Sequence, residues 1–372
     1  MFPYIITFIF SYLFLRKANK RENIGKKGIF FELIALAVLS FLAAIRDSSV
    51  GTDVKLYVEP VFELSKKYGF SNINYIWYNV EVGYKLLNCF VSTFTSSFSV
   101  YLFIQQYLFL LFSLIGIKKI NRENYSFTYL IFLFLFYNMS LNIVRQSMAI
   151  GLSLCAIGYL LEDDIKKFFP FMILAFFFHK SAIILLLVFF MYMLYKHNRK
   201  KMFSVIFLIS FVSIMFAMFF PYLVKIFSGF GILNQYMYYI DNFQESQIDF
   251  NITEIVLDSL FIVMYLVFSK IYKKNKEISV IYFMFLIIDL SLLMISSKYA
   301  GMYRLGMYFR IPAVIFFMSN FGLLFKKNSK SQFVSKIVPL ILIFLVWYIV
   351  FVGGNSGNTI PFKLNEEISF FS

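Results

Sequence analysis

The sequence predicts an all-α polytopic integral membrane protein of about twelve transmembrane helices, some short or broken, and three observations predict it. Of its 372 residues 60% are hydrophobic and the mean hydropathy is +0.75, too apolar for a chain whose outside must face water. The apolar residues gather in runs that approach one bilayer thickness. The 35 Lys and Arg residues, which leave a net charge of +15, fall in short clusters between those runs. In a soluble protein that excess would suggest nucleic acid. Here the spacing is a topology signal, and no nucleic-acid partner is expected.

The clusters run from Arg16 to Lys27, Lys118 to Arg122, Lys166 to Lys167, Lys196 to Lys201, Lys270 to Lys276 and Lys326 to Lys336. Placing all six in the cytoplasm accounts for 23 of the 35 basic residues, and it requires two crossings between neighbouring clusters. Spans then fall near residues 1–15, 28–45, 98–117, 126–141, 146–161, 168–178, 181–195, 202–224, 254–271, 278–295, 304–325 and 337–352. Residues 1–15 have no preceding basic region and no small-residue cleavage site, which predicts a retained span rather than a signal peptide. The whole chain, 1–372, reads as one membrane domain with both ends outside. Two long loops, 46–97 and 225–253, and the tail 353–372 would be extracytoplasmic. They carry most of the acids outside the spans, so chemistry is expected on that face.

Two apolar stretches must turn within the membrane. Residues 168–195 would reach about 42 Å as one helix, yet the basic clusters on both sides must be cytoplasmic. Only His179, Lys180 and Ser181 offer polar groups for a turn. Residues 126–161 turn likewise around Asn138, Ser140, Asn142, Arg145 and Gln146. Non-helical backbone at that depth is tolerated only inside protein or along a wet cavity, so a vestibule sunk into the outer leaflet is predicted, with Arg145 and His179 in its walls.

The cations outside the cytoplasmic clusters include Arg46, Arg145, Lys180, Lys298, Arg304 and Arg310, which map to outer span ends or just beneath them. Such a cavity suits an anion, and the planar fork of Arg suits phosphate groups. His179 is the one histidine expected to face outward, and its titration range suits a general base; His197 sits in a basic cluster as an interfacial residue. Arg46, Asp47, Gly51, Thr52, Asp53 and Tyr57 read either as a capped turn or as a sugar-binding surface, to which Glu81 and Tyr84 could add. Arg304 and Tyr308 lie four apart and share a helix face. Cys89 and Cys155 form no CxxC pair and the two histidines no HExxH motif, so neither metal nor cofactor is expected. Glu32, Asp258 and Asp289 fall inside spans, which signals either buried pairs or an ion path.

At these residues the chain resembles the EpsG-like group of Wzy-type polysaccharide polymerases. The resemblance runs through Arg46-Asp47 with Gly51-Thr52-Asp53 and Tyr57, then Glu81-Val82-Gly83-Tyr84, then Val144-Arg145-Gln146-Ser147-Met148-Ala149-Ile150, then His179-Lys180-Ser181-Ala182, and then Arg304 with Tyr308-Phe309-Arg310. It implies a membrane fold like the GT-C glycosyltransferases, in the bacterial plasma membrane with the active face outside. It also implies a metal-independent enzyme joining undecaprenyl-pyrophosphate-linked oligosaccharides into capsule, O-antigen or exopolysaccharide. A flippase and a chain-length regulator would be its partners. In that picture His179, Arg145 and Arg304 are catalytic. Arg46, Asp47, Asp53, Tyr57, Glu81, Tyr84, Gln146, Lys180, Lys298, Tyr308 and Arg310 bind substrate. Thr359-Ile360-Pro361-Phe362 resembles an altered form of the family's Pro-Tyr ending. Two rivals stand beside this reading, a ligase-like transferase and a transporter or flippase. A transporter needs polar paths to both faces, whereas the inner halves of these spans are mostly Leu, Ile and Phe.

Overall fold

A computed structural model describes residues 1–77, 79–197, 252–268, 276–296, 301–324 and 329–366, with scattered positions between 204 and 226. Lys298 and residues 227–251, the bulk of the expected loop 225–253, lie outside the described residues, as does most of the expected span 202–224. Every regular element among the described residues is helical. Four helices are long and apolar enough to cross a membrane: Phe98–Ile120, Val144–Leu161, Lys180–His197 and Phe333–Gly353. Ile29–Ala44 and Ile278–Met294 are shorter apolar helices.

Two compact units divide the chain. The first comprises Met1–Ile183, Met318–Gly322 and Lys327–Ser372; the second comprises Ile184–Phe317 and Leu323–Lys326. In the first, α1 (Phe2–Asn23) starts with Pro3 in its first turn, where the missing N–H costs nothing, and runs past the expected span into the basic cluster. It packs on α2 (Ile29–Ala44). The region expected as a loop, 46–97, is itself folded, with a π-turn at Val54–Val58, α3 (Glu59–Tyr68) and α4 (Val82–Ser92). Next come α5 (Phe98–Ile120), α6 (Tyr125–Phe132), a π segment and α7 (Asn138–Asn142). α8 (Val144–Leu161) lies against α5 and against α9 (Ile165–Phe178). α8 is 83% buried over its apolar window, whereas Phe333–Gly353 is only 28% buried, so α8 lies in the interior and the latter at the surface of the described residues.

Both predicted breaks are present. Ile143, at φ −83° and ψ 57°, separates α7 from α8. His179 is extended at φ −158° and ψ 122° and ends α9. The first break is braced from α5, where Gln105 Nε2 donates to the Val144 carbonyl at 3.2 Å and Gln106 Nε2 to Ser140 Oγ at 3.0 Å. These bonds serve polar groups that lipid could not. Glu32 belongs to a buried pair: Lys118 Nζ lies 2.7 Å from it and 2.8 Å from Glu22, and Tyr125 Oη donates to Glu32 at 2.5 Å.

The second unit contains α10 (Leu185–His197), α11 (Ile252–Phe268), α12 (Lys276–Ser296) and most of α13 (Gly301–Ser319). Stacked rings join the last three: Tyr265 on Phe283 at 4.4 Å, Tyr282 on Phe316 at 4.3 Å and Phe261 on Phe317 at 5.9 Å. α14 (Ser329–Trp347) belongs to the first unit, where Trp347 packs on Phe134 and its Nε1 donates to Asn138 Oδ1 at 2.8 Å.

Candidate active site

Gly83 lets the first unit build its polar centre. A Cβ there would come within 2.8 Å of the Phe177 carbonyl oxygen, so only glycine lets the start of α4 lie directly on the end of α9. Glu81, the residue before α4, is thereby carried to the break after α9. One carboxylate oxygen accepts from Arg145 Nη1 at 2.6 Å and the other from the Lys180 backbone N–H at 3.4 Å. Glu81 thus joins the two breaks and, among the described residues, is the acid ion-paired with Arg145, with Tyr84 and Asp53 acting on it from farther off. Both partners are largely out of water, which strengthens the attraction but also makes each costly without the other.

At the second break, His179 Nδ1 lies 2.6 Å from Ser181 Oγ and 3.3 Å from the Ser181 N–H. An amide N–H can only donate, so Nδ1 is the accepting nitrogen of the neutral ring and Nε2 carries the hydrogen. The lone pair able to receive a proton therefore points at the Ser181 hydroxyl. Ser181, expected only as a polar group for the turn, is thus the partner of the histidine two residues before it.

Arg46 contrasts with Arg145. It is 2% exposed, and its Nε and Nη1 have no hydrogen-bond partner. Its electrostatic neighbours are the phenols of Tyr137, Tyr4 and Tyr84, none of them an acid at neutral pH; burial pulls the guanidinium down to about 10, still charged. Tyr84, fully buried, interacts electrostatically with both Arg145 and Arg46, and burial pushes its hydroxyl up to about 12. Two arginines, one paired and one lacking an acid, therefore flank one tyrosine. Buried donors without acceptors favour an anionic guest.

A closing segment holds Arg46 in place. Its backbone bridges to Leu364, the Asp47 N–H donates to Lys363 O at 3.0 Å, and the Asn365 N–H donates to Ile45 O at 2.9 Å. Upstream, Thr359 is fully buried: its carbonyl accepts from Tyr4 Oη at 2.6 Å and its hydroxyl from Asn138 Nδ2 at 3.1 Å. Phe362 packs edge-on to Tyr4 at 5.6 Å. Residues 359–365 thus tie Tyr4, Asn138 and the chain around Arg46 together. Gly51, at φ +94°, turns the chain so that Thr52 Oγ1 and the Asp53 N–H both donate to Asn142 Oδ1, at 3.0 and 2.9 Å.

The other expected residues fall at varied depths. Asp47 caps its own turn, accepting from the Ser49 N–H at 2.9 Å, and bonds from Ser49 hold its carboxyl below the usual range. Tyr57 is exposed, edge-on to Trp77 at 5.9 Å, and Lys180 is exposed; Gln146 is buried at 2%. In the second unit Arg304 is exposed whereas Tyr308 is buried, so their shared spacing does not give them a shared depth. Arg310, 3% exposed, is clamped by Asp289 through Nε at 2.6 Å and Nη2 at 3.2 Å. Among the described residues no group of three or more His, Cys, Asp or Glu is arranged to hold a metal ion.

No curated protein and no solved structure matches the chain. A family model described as the EpsG family matches residues 28–364, a stretch that includes Arg46, Glu81, Arg145, His179 and the closing segment up to Leu364. The chain therefore belongs to the EpsG family, a Wzy-type polymerase-like group of membrane proteins of polysaccharide biosynthesis.

Proposed function

We propose that this protein is a membrane glycosyltransferase that joins undecaprenyl-pyrophosphate-linked oligosaccharide units on the outer face of the bacterial plasma membrane. The observation that carries the reading is the site of the first unit, where a buried arginine with no acid beside it among the described residues and a paired arginine flank one buried tyrosine, and Glu81 links the paired arginine to the break that holds the His179–Ser181 pair. Arg46 and Arg145 bind the diphosphate of the growing chain, and the family resemblance implies a catalytic role for Arg304 as well. A hydroxyl of the incoming unit attacks the anomeric carbon, the bond from that carbon to the diphosphate oxygen breaks, and undecaprenyl diphosphate departs with the electron pair. The arginines stabilise the charge that develops on it. The attacking hydroxyl gives its proton to Ser181 Oγ, which passes its own to His179 Nδ1.

Glu81 orients Arg145 and yields it when the diphosphate arrives. Asp47, Asp53, Tyr57 and Tyr84 select the sugars, with Gln146 and Lys180 as further contacts; the family resemblance implies contacts for Lys298 and Tyr308 as well. The reading includes twelve spans, a GT-C-like arrangement, outward termini and a flippase and chain-length regulator as partners. No step calls for a metal, and a chelator added to purified enzyme is expected to leave activity intact.

The test is polymer length on gels. His179→Ala and Arg145→Ala are each expected to abolish extension while leaving membrane insertion intact, and Ser181→Ala to slow it about a hundredfold, as loss of a proton-transfer group does. Normal long chains in His179→Ala and Arg145→Ala would remove the assignment.

A further inference from the structure

Among the described residues the second unit buries more acid than base. Asp258 on α11 and Asp289 on α12 are both wholly buried, and Glu254 on α11 is 7% exposed. The described cation among them is Arg310 on α13, which is hydrogen-bonded to Asp289 and 4.0 Å from Glu254. Tyr303, also on α13, donates to Glu254 at 3.3 Å. Asp258 has no such partner: both its carboxylate oxygens are buried without a hydrogen bond. The group nearest in effect to Asp258 is the Asp289 carboxyl, within hydrogen-bonding reach, followed by Arg310 and Glu254.

Two ionised carboxylates cannot bond to each other, because neither has a hydrogen to donate. Burying a second negative charge against the first is strongly unfavourable, and Arg310 can offset only one of them. A single proton removes both difficulties. It turns Asp258 into a donor to Asp289 and leaves the Asp289 charge paired with the Arg310 guanidinium, while Glu254 keeps its bond from Tyr303 and its place 4.0 Å from Arg310.

We infer that Asp258 and Asp289 hold one proton between them at neutral pH, making α11, α12 and α13 a buried proton site clamped by Arg310. The site lies apart in sequence from the residues assigned to glycosyl transfer in the first unit, and the inference stands whether or not that reading holds. Arg310 is committed to this pair. Gly306, one turn before Arg310 on α13, faces the Asp289 carboxylate and leaves no space there for a side chain.

Infrared spectroscopy of the full-length protein in membranes tests this directly. Wild type at neutral pH is expected to show the carbonyl stretch of a protonated carboxylic acid, shifted by isotopic labelling of aspartate and lost in Asp258→Asn. Asp258→Asn, which keeps a donor without the charge, is expected to melt within about 2 °C of wild type, whereas Asp289→Asn, which leaves Arg310 opposite no carboxylate of the pair, melts several degrees lower. Absence of an aspartate-dependent band from wild type overturns the inference even if a variant fails to fold. So does an Asp258→Asn protein that melts as low as Asp289→Asn.

Discussion

Gly83→Ala is a small perturbation with a calculable effect. The new methyl would stand 2.8 Å from the Phe177 carbonyl oxygen and 3.0 Å from two other Phe177 atoms, where ordinary contact begins at 3.4 Å. Both near atoms on the carbonyl are backbone, so α4 and α9 must part by roughly half an ångström. Overpacking of this kind costs about 1–3 kcal/mol, and the better helix propensity of Ala returns at most about 1 kcal/mol. The bond from the Lys180 N–H to Glu81 is already 3.4 Å long and would break first. Arg145 would then follow Glu81 away from His179. Misplacement on that scale lowers rate about ten- to a hundredfold. Melting of detergent-solubilised protein should drop by a few degrees, and polymer made by isolated membranes should shorten. Val82→Ala, at a side chain 57% exposed, serves as the control and should change neither. A Gly83→Ala protein with wild-type melting and wild-type chain length would refute the claim that this contact sets the site.

Three further outcomes follow from particular bonds. Asn142→Ala strips the acceptor from Thr52 and Asp53 together and should cost about 1–3 kcal/mol, read as faster proteolysis of residues 46–77, while Asn142→Asp should restore protection. Lys118→Ala leaves Glu32, 8% exposed, with only the Tyr125 hydroxyl, and should destabilise by about 3 kcal/mol in thermal melts; an unchanged melt would count against the buried pair. Because Ser49 holds the Asp47 carboxyl low, its contribution is full above the ordinary carboxylate value and fades as pH falls through the lower folded value. Acid-dependent proteolysis of that turn should therefore flatten in Asp47→Asn.

What could be read from the chain and what could not differ in physical kind. The breaks at residues 143 and 179 were legible because polar side chains interrupt apolar runs too long for the space between their flanking charges. Membrane character followed from composition alone. Pairing was not legible: Glu81 meets Arg145 across 64 residues only because Gly83 admits a close helix contact, and no local pattern encodes that. Arg310 looked like a ligand-facing cation for the same reason, since its partner Asp289 lies 21 residues away on another helix. Residues 46–97 read as a loop because α3 and α4 are too short and too polar to resemble spans, yet their buried faces fold them. The role of the last segment was not legible, because its partners Tyr4, Ile45, Arg46, Asp47 and Asn138 lie more than 200 residues away and several of its bonds are backbone ones, which any sequence can make.

That last segment has a consequence for biogenesis. Tyr4 and Thr359 are joined by a hydrogen bond although 355 residues separate them. At typical translation speeds the ribosome needs roughly twenty to seventy seconds to make the intervening chain. Once Arg46 has been made it waits for residues 363–365 before its neighbours acquire the backbone bonds that hold it. Truncation upstream of Thr359 is expected to remove those bonds and the Tyr4 hydrogen bond together.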